Sequence, residues 1–304
     1  MKTVDQKSTF VAKVESLNQG AHFSNTTVIL EDKSHVNIKL EANEINLLTV
    51  GQIYEFSVIG VKKDEDVILK STGFEKLEVR YPKKDWASFY SVFYQYAPLS
   101  MKVIKSAIEL YIDKIDNEIL KAVTKSVYEQ YQDDFYLHPA ATKFHHAYIG
   151  GLSYHTLTML NMIDPMIKVY PYLNKDLLYA GTLLHDIAKI DEISGVDGEY
   201  TKAGLLLGHL VMGTLNIDMH ARNLGYEATE EVLLLKHMVI SHHGQLNFGS
   251  PKKPQIGEAL LLWYLDSIDS KLTVLGEELG KTKEGEFTQP IAVLDKSRFY
   301  KTKK

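Results

Sequence analysis

The sequence predicts an α+β protein of more than one domain, with a small β-barrel followed by helices. Within residues 1–80, five short segments rich in Val, Ile, Thr and aromatic residues alternate with turn sequences, which is typical of strands. Beyond about residue 81, apolar residues recur at intervals of three and four, as they do on one face of a helix. A chain of 304 residues is long enough to contain both parts.

The β-rich segment, residues 1–80, predicts an OB-like barrel, a fold that binds single-stranded nucleic acid through exposed aromatic residues and a basic groove. Its charge gives little support for binding, because it has ten Lys or Arg against twelve Asp or Glu. Its aromatic residues either fill the barrel or form a stacking surface, and core packing is favoured because so small a barrel needs apolar side chains inside. These residues are Phe10, Phe23, Tyr54, Phe56 and Phe74.

A linker and helical extension is predicted over residues 81–135. The aromatic residues near its start recur at helical spacing, which favours a packing face over a base-stacking surface. They are Trp86, Phe89, Tyr90, Phe93 and Tyr94. Two more helices are predicted at about residues 99–114 and 116–132, and a later one at about 229–243. Pro and Gly residues separate the helices that follow.

Histidines cluster in the second half of the chain, where ten of the twelve lie between His138 and His243. Two pairs, His185-Asp186 and His242-His243, stand in the apolar sequences LLHDIAK and VISHHGQL. A buried carboxylate without a partner costs several kcal/mol, so Asp186 requires a cation or strong donors. This favours a metal site over a set of unrelated core histidines. The candidate ligands are His155, His185, Asp186, His209, His242, His243 and Asp266.

Seven candidate ligands are too many for one ion and indicate two, with Asp186 lending one oxygen to each. The remaining candidates then divide into His155, His185 and Asp266 on one ion, and His209, His242 and His243 on the other. Nitrogen and oxygen donors together suit divalent metals, with Mn favoured and Fe, Co, Ni, Zn or Mg as alternatives. Two such ions about 4 Å apart form an arrangement that hydrolyses phosphate esters.

Other polar residues lie close to these candidates in the sequence. Asp269 follows Asp266 by three residues on the same helix face, so spacing does not choose between them. His237 lies five residues before His242 and points about 140° away from it, which predicts a place behind the ligands or in the core. Structural roles are also predicted for His145, His146 and His220.

The order His, His-Asp, His, His-His and Asp resembles the HD superfamily of metal-dependent phosphohydrolases. The flanking sequences HHAYIGGLSYHT, LLHDIAKI, LLGHLVMG and ISHHG are similar to those of the YhaM-type 3′-to-5′ exoribonucleases, which carry an OB-type domain ahead of the HD domain. The resemblance covers nearly the whole chain. It implies an all-α HD-type domain over residues 136–304, and it assigns Asp266, rather than Asp269, as the ligand.

The resemblance implies a metal-dependent exonuclease that shortens single-stranded RNA from its 3′ end and releases nucleoside 5′-monophosphates, with single-stranded DNA as a further substrate. Asp186 is expected to be catalytic as the bridging ligand. Lys189 is expected to neutralise a phosphate oxygen or protonate the departing alkoxide. The alternative for Lys189 is a solvated lysine that compensates the helix dipole.

Two other functions remain open from the sequence. One is an HD phosphohydrolase of nucleotides or cyclic dinucleotides, although the Gly-Tyr-Pro sequence typical of the cyclic-dinucleotide enzymes does not follow the paired histidines. The other is a metal-stabilised nucleic-acid-binding protein without turnover, which the large ligand set disfavours because a structural ion needs only four ligands.

The composition of the chain restricts how it can bind phosphates, which bonds it can form and where it is expected to be located. The formal net charge of −5 means that binding to phosphates needs local patches or metals. The chain has no cysteine, which excludes disulfides and thiolate sites. No apolar signal core or membrane-length apolar run is visible, so a cytoplasmic protein without membrane contact is expected. The resemblance suggests a homo-oligomer.

Overall fold

The structure is a computed structural model that describes residues 5–21, 23–63, 66–141, 146, 148–195, 198–245 and 249–303. The chain divides into two compact units, one up to Gln95 and the other from Tyr96 onward apart from residues 196–198. Each unit is described by itself. The domain boundaries at residues 80 and 135 stay predictions.

The first unit contains a closed barrel of five strands. They are β1 (Lys7–Gly20), β2 (Phe23–Ile29), β3 (His35–Leu40), β4 (Ile53–Lys63) and β5 (Asp66–Lys76). Their order around the barrel is β1-β2-β3-β5-β4, and an antiparallel pairing of β1 with β4 closes it. Only the β3–β5 pair is parallel among the described strand pairs. The predicted OB-like barrel is therefore confirmed.

Aromatic side chains fill much of the barrel interior. Tyr54 and Phe56 are almost fully buried, and Phe10 and Phe74 pack against the same core. Core packing is confirmed for these four, but it is wrong for Phe23, which is 54% exposed. Phe23 begins β2 beside a turn and its ring lies over the backbone of Gly20, so the ring stays outside the barrel.

Two helices follow the barrel in the same unit, α1 (Leu77–Arg80) and α2 (Lys83–Phe93). Leu77 and Phe93 form a second small core with Ile53 of β4. The hydroxyl of Tyr94, just after α2, donates a hydrogen bond to the carbonyl oxygen of Gly51. The aromatic face of α2 is thus a packing face, as predicted.

The second unit is helical. Its described helices are α3 (Met101–Asp113), α4 (Glu118–Phe135), α5 (Gly151–Val169), α6 (Lys175–Leu184), α7 (Lys189–Glu192), α8 (Lys202–Leu224), α9 (Glu230–Ser241) and α10 (Gly257–Lys281). The helices predicted at 99–114, 116–132 and 229–243 correspond to α3, α4 and α9. In the part of the chain that the structure describes, no helix is long and apolar enough to cross a membrane.

Helix α6 lies at the centre of this unit. Every residue from Asp176 to Leu184 is buried, and α6 packs against α3, α4, α5, α9 and α10. The absence of a side chain at Gly181 permits close packing, because a Cβ there would lie 2.5 Å from Cε of Met238 on α9. The carboxyl-terminal ends of α6 and α9 are thereby brought together. The pair His185-Asp186 follows α6, and the pair His242-His243 follows α9.

We predict that Phe56→Ala destabilises the protein by about 3–5 kcal/mol, because it removes a large buried ring from the barrel core. Phe23→Ala is the matched control and should change the free energy of unfolding by about 0.5 kcal/mol or less, since that ring is exposed. Urea denaturation followed by circular dichroism measures both. Equal losses of stability in the two variants would contradict the described packing.

Candidate metal centre

Five helices bring the predicted ligands to one place. His155 lies on α5, and His209 on α8. His185 and Asp186 follow the last residue of α6, and His242 and His243 follow the last residue of α9. Asp266 lies on α10. The ring centroid of His185 is 5.4 Å from that of His155 and 4.9 Å from that of His242. The His242 centroid is in turn 5.6 Å from that of His209 and 4.6 Å from that of His243.

The carboxylate of Asp186 lies between the histidines and is only 2% exposed. Its Oδ1 is 3.3 Å from Nε2 of His209 and 3.4 Å from Nε2 of His242. Its Oδ2 is 3.3 Å from Nε2 of His185 and 3.8 Å from Nε2 of His155. Each oxygen therefore faces a different pair of histidines, which is the geometry that a shared carboxylate requires.

Several of these buried atoms have no hydrogen-bond partner among the described residues. They include Nε2 of His185, His209 and His242, and Oδ1 of Asp186. Leaving buried polar atoms unpaired is costly, and lone pairs that converge on one point suit a cation. His155, His185 and Asp186 offer atoms close enough to hold one ion, and so do His209, His242 and His243.

The opposite ring nitrogen, Nδ1, fixes the orientation of four of the histidines. In His185 and His242 it donates to a backbone carbonyl three residues earlier, that of Thr182 at 2.8 Å and that of Val239 at 2.7 Å. In His155 and His209 it donates to a carboxylate instead: Asp269 Oδ2 at 2.6 Å and Glu192 Oε2 at 2.9 Å. All four rings consequently present Nε2 to the site, as metal-binding histidines do.

Asp266 and Asp269 lie on opposite sides of the His155 ring. Oδ1 of Asp266 is 3.3 Å from Nε2 of His155, on the side that faces Asp186. Asp269 contacts Nδ1, on the side away from it. The geometry therefore favours Asp266 as the ligand and Asp269 as the group that orients His155.

A structural role was predicted for His146, and its hydrogen bonds agree with one that supports Asp269 behind the site. Its Nε2 donates to Oδ2 of Asp269 at 2.8 Å, and its Nδ1 accepts from the Tyr148 hydroxyl at 2.6 Å. A Cβ at Gly151 would lie 1.9 Å from the carbonyl oxygen of His146, so the first residue of α5 must be glycine for His146 to lie there. His145 lies outside the described residues.

Glu192, on the short helix α7, is a site residue that the sequence reasoning missed. Besides orienting the His209 ring, its Oε1 accepts the backbone N–H of His209 at 3.0 Å. That N–H is available because α8 is interrupted at Gly208, whose φ of +73° is left-handed and favours glycine. No spacing rule in the sequence connects Glu192 with His209.

Lys189 is not a solvated lysine. Its Nζ is 2.7 Å from Oδ2 of Asp186, and its side chain is mostly buried. Burial lowers the pKa of Lys189, but Asp186 raises it further, so the pKa lies above its usual value and the ammonium stays charged. Lys189 thus places a permanent positive charge beside the shared carboxylate.

The carboxylates of the site are ionised. Burial raises the pKa of Asp186, but Lys189 and His185 hold it well below its usual range. Burial also raises the pKa values of Asp266 and Asp269, but neighbouring histidines lower them further. His155 does so at Asp266, and His146 and His155 do so at Asp269. A buried cluster of ionised carboxylates attracts cations.

Two histidines of the site differ in their protonation. Burial lowers the pKa of His242 to about 3, which leaves the ring neutral, the form that binds metals. In His155, burial lowers the pKa, but the bonds to Asp266 and Asp269 raise it to about 9. A metal ion would have to displace that proton.

Two other histidines lie outside these groups. Nε2 of His237 accepts the backbone N–H of Gln255 at 3.0 Å, which holds the segment before α10 and agrees with the prediction that this ring points away from the ligands. His220 bonds to Ser126 and Gln130 on α4, each at 2.8 Å. Its predicted structural role is confirmed.

No model of a known protein family matches the chain. Over 212 residues, the chain is 42% identical to a protein of Geobacillus sp. (strain WCH70) described as 3′-5′ exoribonuclease YhaM. The aligned part makes up 69% of this chain and 65% of that relative, slightly less than two thirds of the relative's length. The resemblance predicted from the histidine sequences is confirmed over these 212 residues, where the chain is similar to a YhaM exoribonuclease.

Proposed function

We propose that the protein is a cytoplasmic, metal-dependent 3′-to-5′ exonuclease that hydrolyses single-stranded RNA to nucleoside 5′-monophosphates, with single-stranded DNA as a further substrate. The observation that carries the proposal is the convergence of buried histidine Nε2 atoms on Asp186. It occurs in a chain 42% identical to a named 3′-5′ exoribonuclease. The helical unit would then be an HD-type domain.

The proposed ligand assignment follows the two faces of Asp186. One ion would be held by His155, His185, Asp186 and Asp266. The other would be held by Asp186 with His209, His242 and His243. A donor set of imidazole and carboxylate suits first-row divalent ions in general, and among these we propose Mn²⁺.

Divalent cations bound here would supply an activated hydroxide and neutralise phosphate charge. The residues of the chain have distinct tasks around them. Asp186 stays ionised and presents one oxygen to each histidine group. Neutral His242 keeps a lone pair directed at the site. Lys189 adds a fixed ammonium that stabilises negative charge as it develops on phosphate oxygens.

The barrel is proposed to hold the RNA strand, as OB-type barrels do. Its described aromatic residues are mostly in the core, so the contacts would come from exposed side chains such as Phe23. They would be made mainly to phosphates and base faces, and so would not depend on sequence.

RNA labelled at its 5′ end should shorten progressively in the presence of Mn²⁺ and release nucleoside monophosphates, because hydrolysis starts at the 3′ end. A 3′-phosphate should slow the reaction. Denaturing gels and chromatography of the products measure both. Internal cuts would indicate an endonuclease, and turnover of nucleotides without cleavage of any polymer would indicate a small-molecule phosphohydrolase.

Asp186→Ala should lower activity about a thousandfold or more and reduce the bound metal, because both proposed ions lose a shared ligand. Elemental analysis after reconstitution with Mn²⁺ measures the metal directly. Asp133→Ala, which removes an exposed carboxylate on α4, is the matched control and should leave both values unchanged. Full metal content and activity in the Asp186 variant would refute the two-ion assignment.

Asp266→Ala should remove binding of one ion, whereas Asp269→Asn and Glu192→Gln should weaken Mn²⁺ affinity about 10–100-fold while leaving the number of ions unchanged. The reason is that groups behind the ligands orient the rings without contacting metal. Calorimetric titration with Mn²⁺ separates stoichiometry from affinity. If Asp269→Asn loses an ion and Asp266→Ala retains both, Asp269 is the ligand.

A further inference from the structure

The segment after α10 folds back on itself as an irregular hairpin held by isolated β-bridges. Phe287 pairs with Tyr300, and Ile291 pairs with Ser297. Ile291 is buried, and Nζ of Lys301 donates to the carbonyl oxygen of Thr282, just after α10, at 2.8 Å. This hairpin is therefore fixed to the end of α10 and presents a defined outer face.

Aromatic and cationic side chains lie together on that face. Phe287 and Tyr300 are 55% and 47% exposed, with ring centroids 5.3 Å apart. The guanidinium of Arg298 lies 5.9 Å from the centroid of the Phe287 ring. A Cβ at Gly285 would lie 2.8 Å from Cε of Lys303 and 3.7 Å from the Tyr300 hydroxyl oxygen, which places Lys303 beside Tyr300.

These four residues, Phe287, Arg298, Tyr300 and Lys303, are called the C-terminal patch below. The hairpin as a whole is basic: residues 282–304 contain six Lys or Arg against three Asp or Glu. The chain as a whole has a net charge of −5. Exposed aromatic rings next to concentrated positive charge are the combination by which proteins hold single-stranded nucleic acid, with bases stacked on rings and phosphates near cations.

Helix α10 carries Asp266 of the candidate metal centre and ends at Lys281, just before the hairpin. Asp266 and Lys281 are 15 residues apart on the continuous helix α10, which corresponds to about 22 Å at 1.5 Å per residue. At a stacked spacing of about 3.4 Å per nucleotide, about six nucleotides would cover that length.

We propose that the C-terminal patch is a binding site for single-stranded RNA and holds the strand several nucleotides upstream of the 3′ end. Phe287 and Tyr300 stack on bases, and Arg298 and Lys303 contact phosphates. The inference rests on the proposed function in taking RNA as the substrate, and it adds a binding site outside the barrel and the metal centre.

The test is the affinity of the full-length, EDTA-treated protein for fluorescein-labelled oligouridine of twelve and of three nucleotides, measured by fluorescence anisotropy. The double variant Tyr300→Ser/Lys303→Glu leaves Arg298 and its bond to the Thr288 carbonyl in place. It should bind the twelve-mer at least about tenfold more weakly. The log–log slope of affinity against salt should become shallower by about 0.7 for each phosphate that the variant no longer binds. The three-mer is short enough to bind at the patch alone, so its affinity should fall as well.

The matched control is Tyr172→Ser/Lys125→Glu, which alters an exposed aromatic residue and an exposed lysine elsewhere and should bind both oligonucleotides like wild type. Tyr300→Phe, which keeps the ring, should retain affinity. Hydrolysis of bis(p-nitrophenyl) phosphate with Mn²⁺ shows that the metal centre is intact in each variant.

Wild-type affinity of the double variant for the twelve-mer would overturn the inference. An equal loss of binding to polyphosphate, with no effect of Tyr300→Ser alone on RNA, would overturn it as well, since it would show a general anion patch. Because binding is measured without metal, the outcome is independent of the proposed reaction. A protein that binds RNA through the patch but does not cleave it would refute the proposed function and not the inference.

Discussion

The helical unit is organised around one buried charge, the carboxylate of Asp186. A carboxylate in an apolar interior is tolerated only when cations and hydrogen-bond donors surround it. Asp186 has such partners near both of its oxygens. Lys189 supplies a permanent positive charge at 2.7 Å, while histidines from α6, α8 and α9 direct Nε2 toward the two oxygens. Each of these helices contributes both to the apolar core and to the surroundings of Asp186. The packing of the helices therefore also assembles the site.

The histidines of the site are oriented in two different ways. His185 and His242 are held by carbonyls of their own helices, three residues earlier, so their ring orientation is set as soon as α6 and α9 form. His155 and His209 depend on carboxylates from other elements, Asp269 and Glu192. Their orientation requires tertiary structure. The orientation of the first pair thus depends on contacts within one helix, and that of the second pair on contacts between elements distant in sequence.

The sequence predicted most of the fold because its signals are periodic. Alternation and turn residues indicated the barrel, and three-and-four spacing indicated α3, α4 and α9. The positions of His185 and Asp186 were predictable because a charged doublet in an apolar helix needs partners. A single-residue deviation such as Phe23 was not predictable, since strand periodicity does not show that a ring at the start of β2 turns onto Gly20.

The parts of the site that escaped prediction depend on backbone geometry and on tertiary contacts. His146 reaches Asp269 only because Gly151 allows its backbone to pass close by. Asp266 and Asp269 share a helix face, so only the side of the His155 ring that each contacts distinguishes them. Such distinctions arise between elements distant in sequence.

The interruption of α8 at Gly208 has a consequence for the second part of that helix. Since the helix restarts at His209, its first N–H groups lack partners within the helix, and Glu192 accepts one of them. The same carboxylate holds the His209 ring, so it serves as a helix cap and as a ring anchor at once. The positive end of the helix dipole is also directed at this point. Fraying of this helix end and loss of the His209 ring orientation are thereby coupled, and local opening of α8 would release the ring from the site.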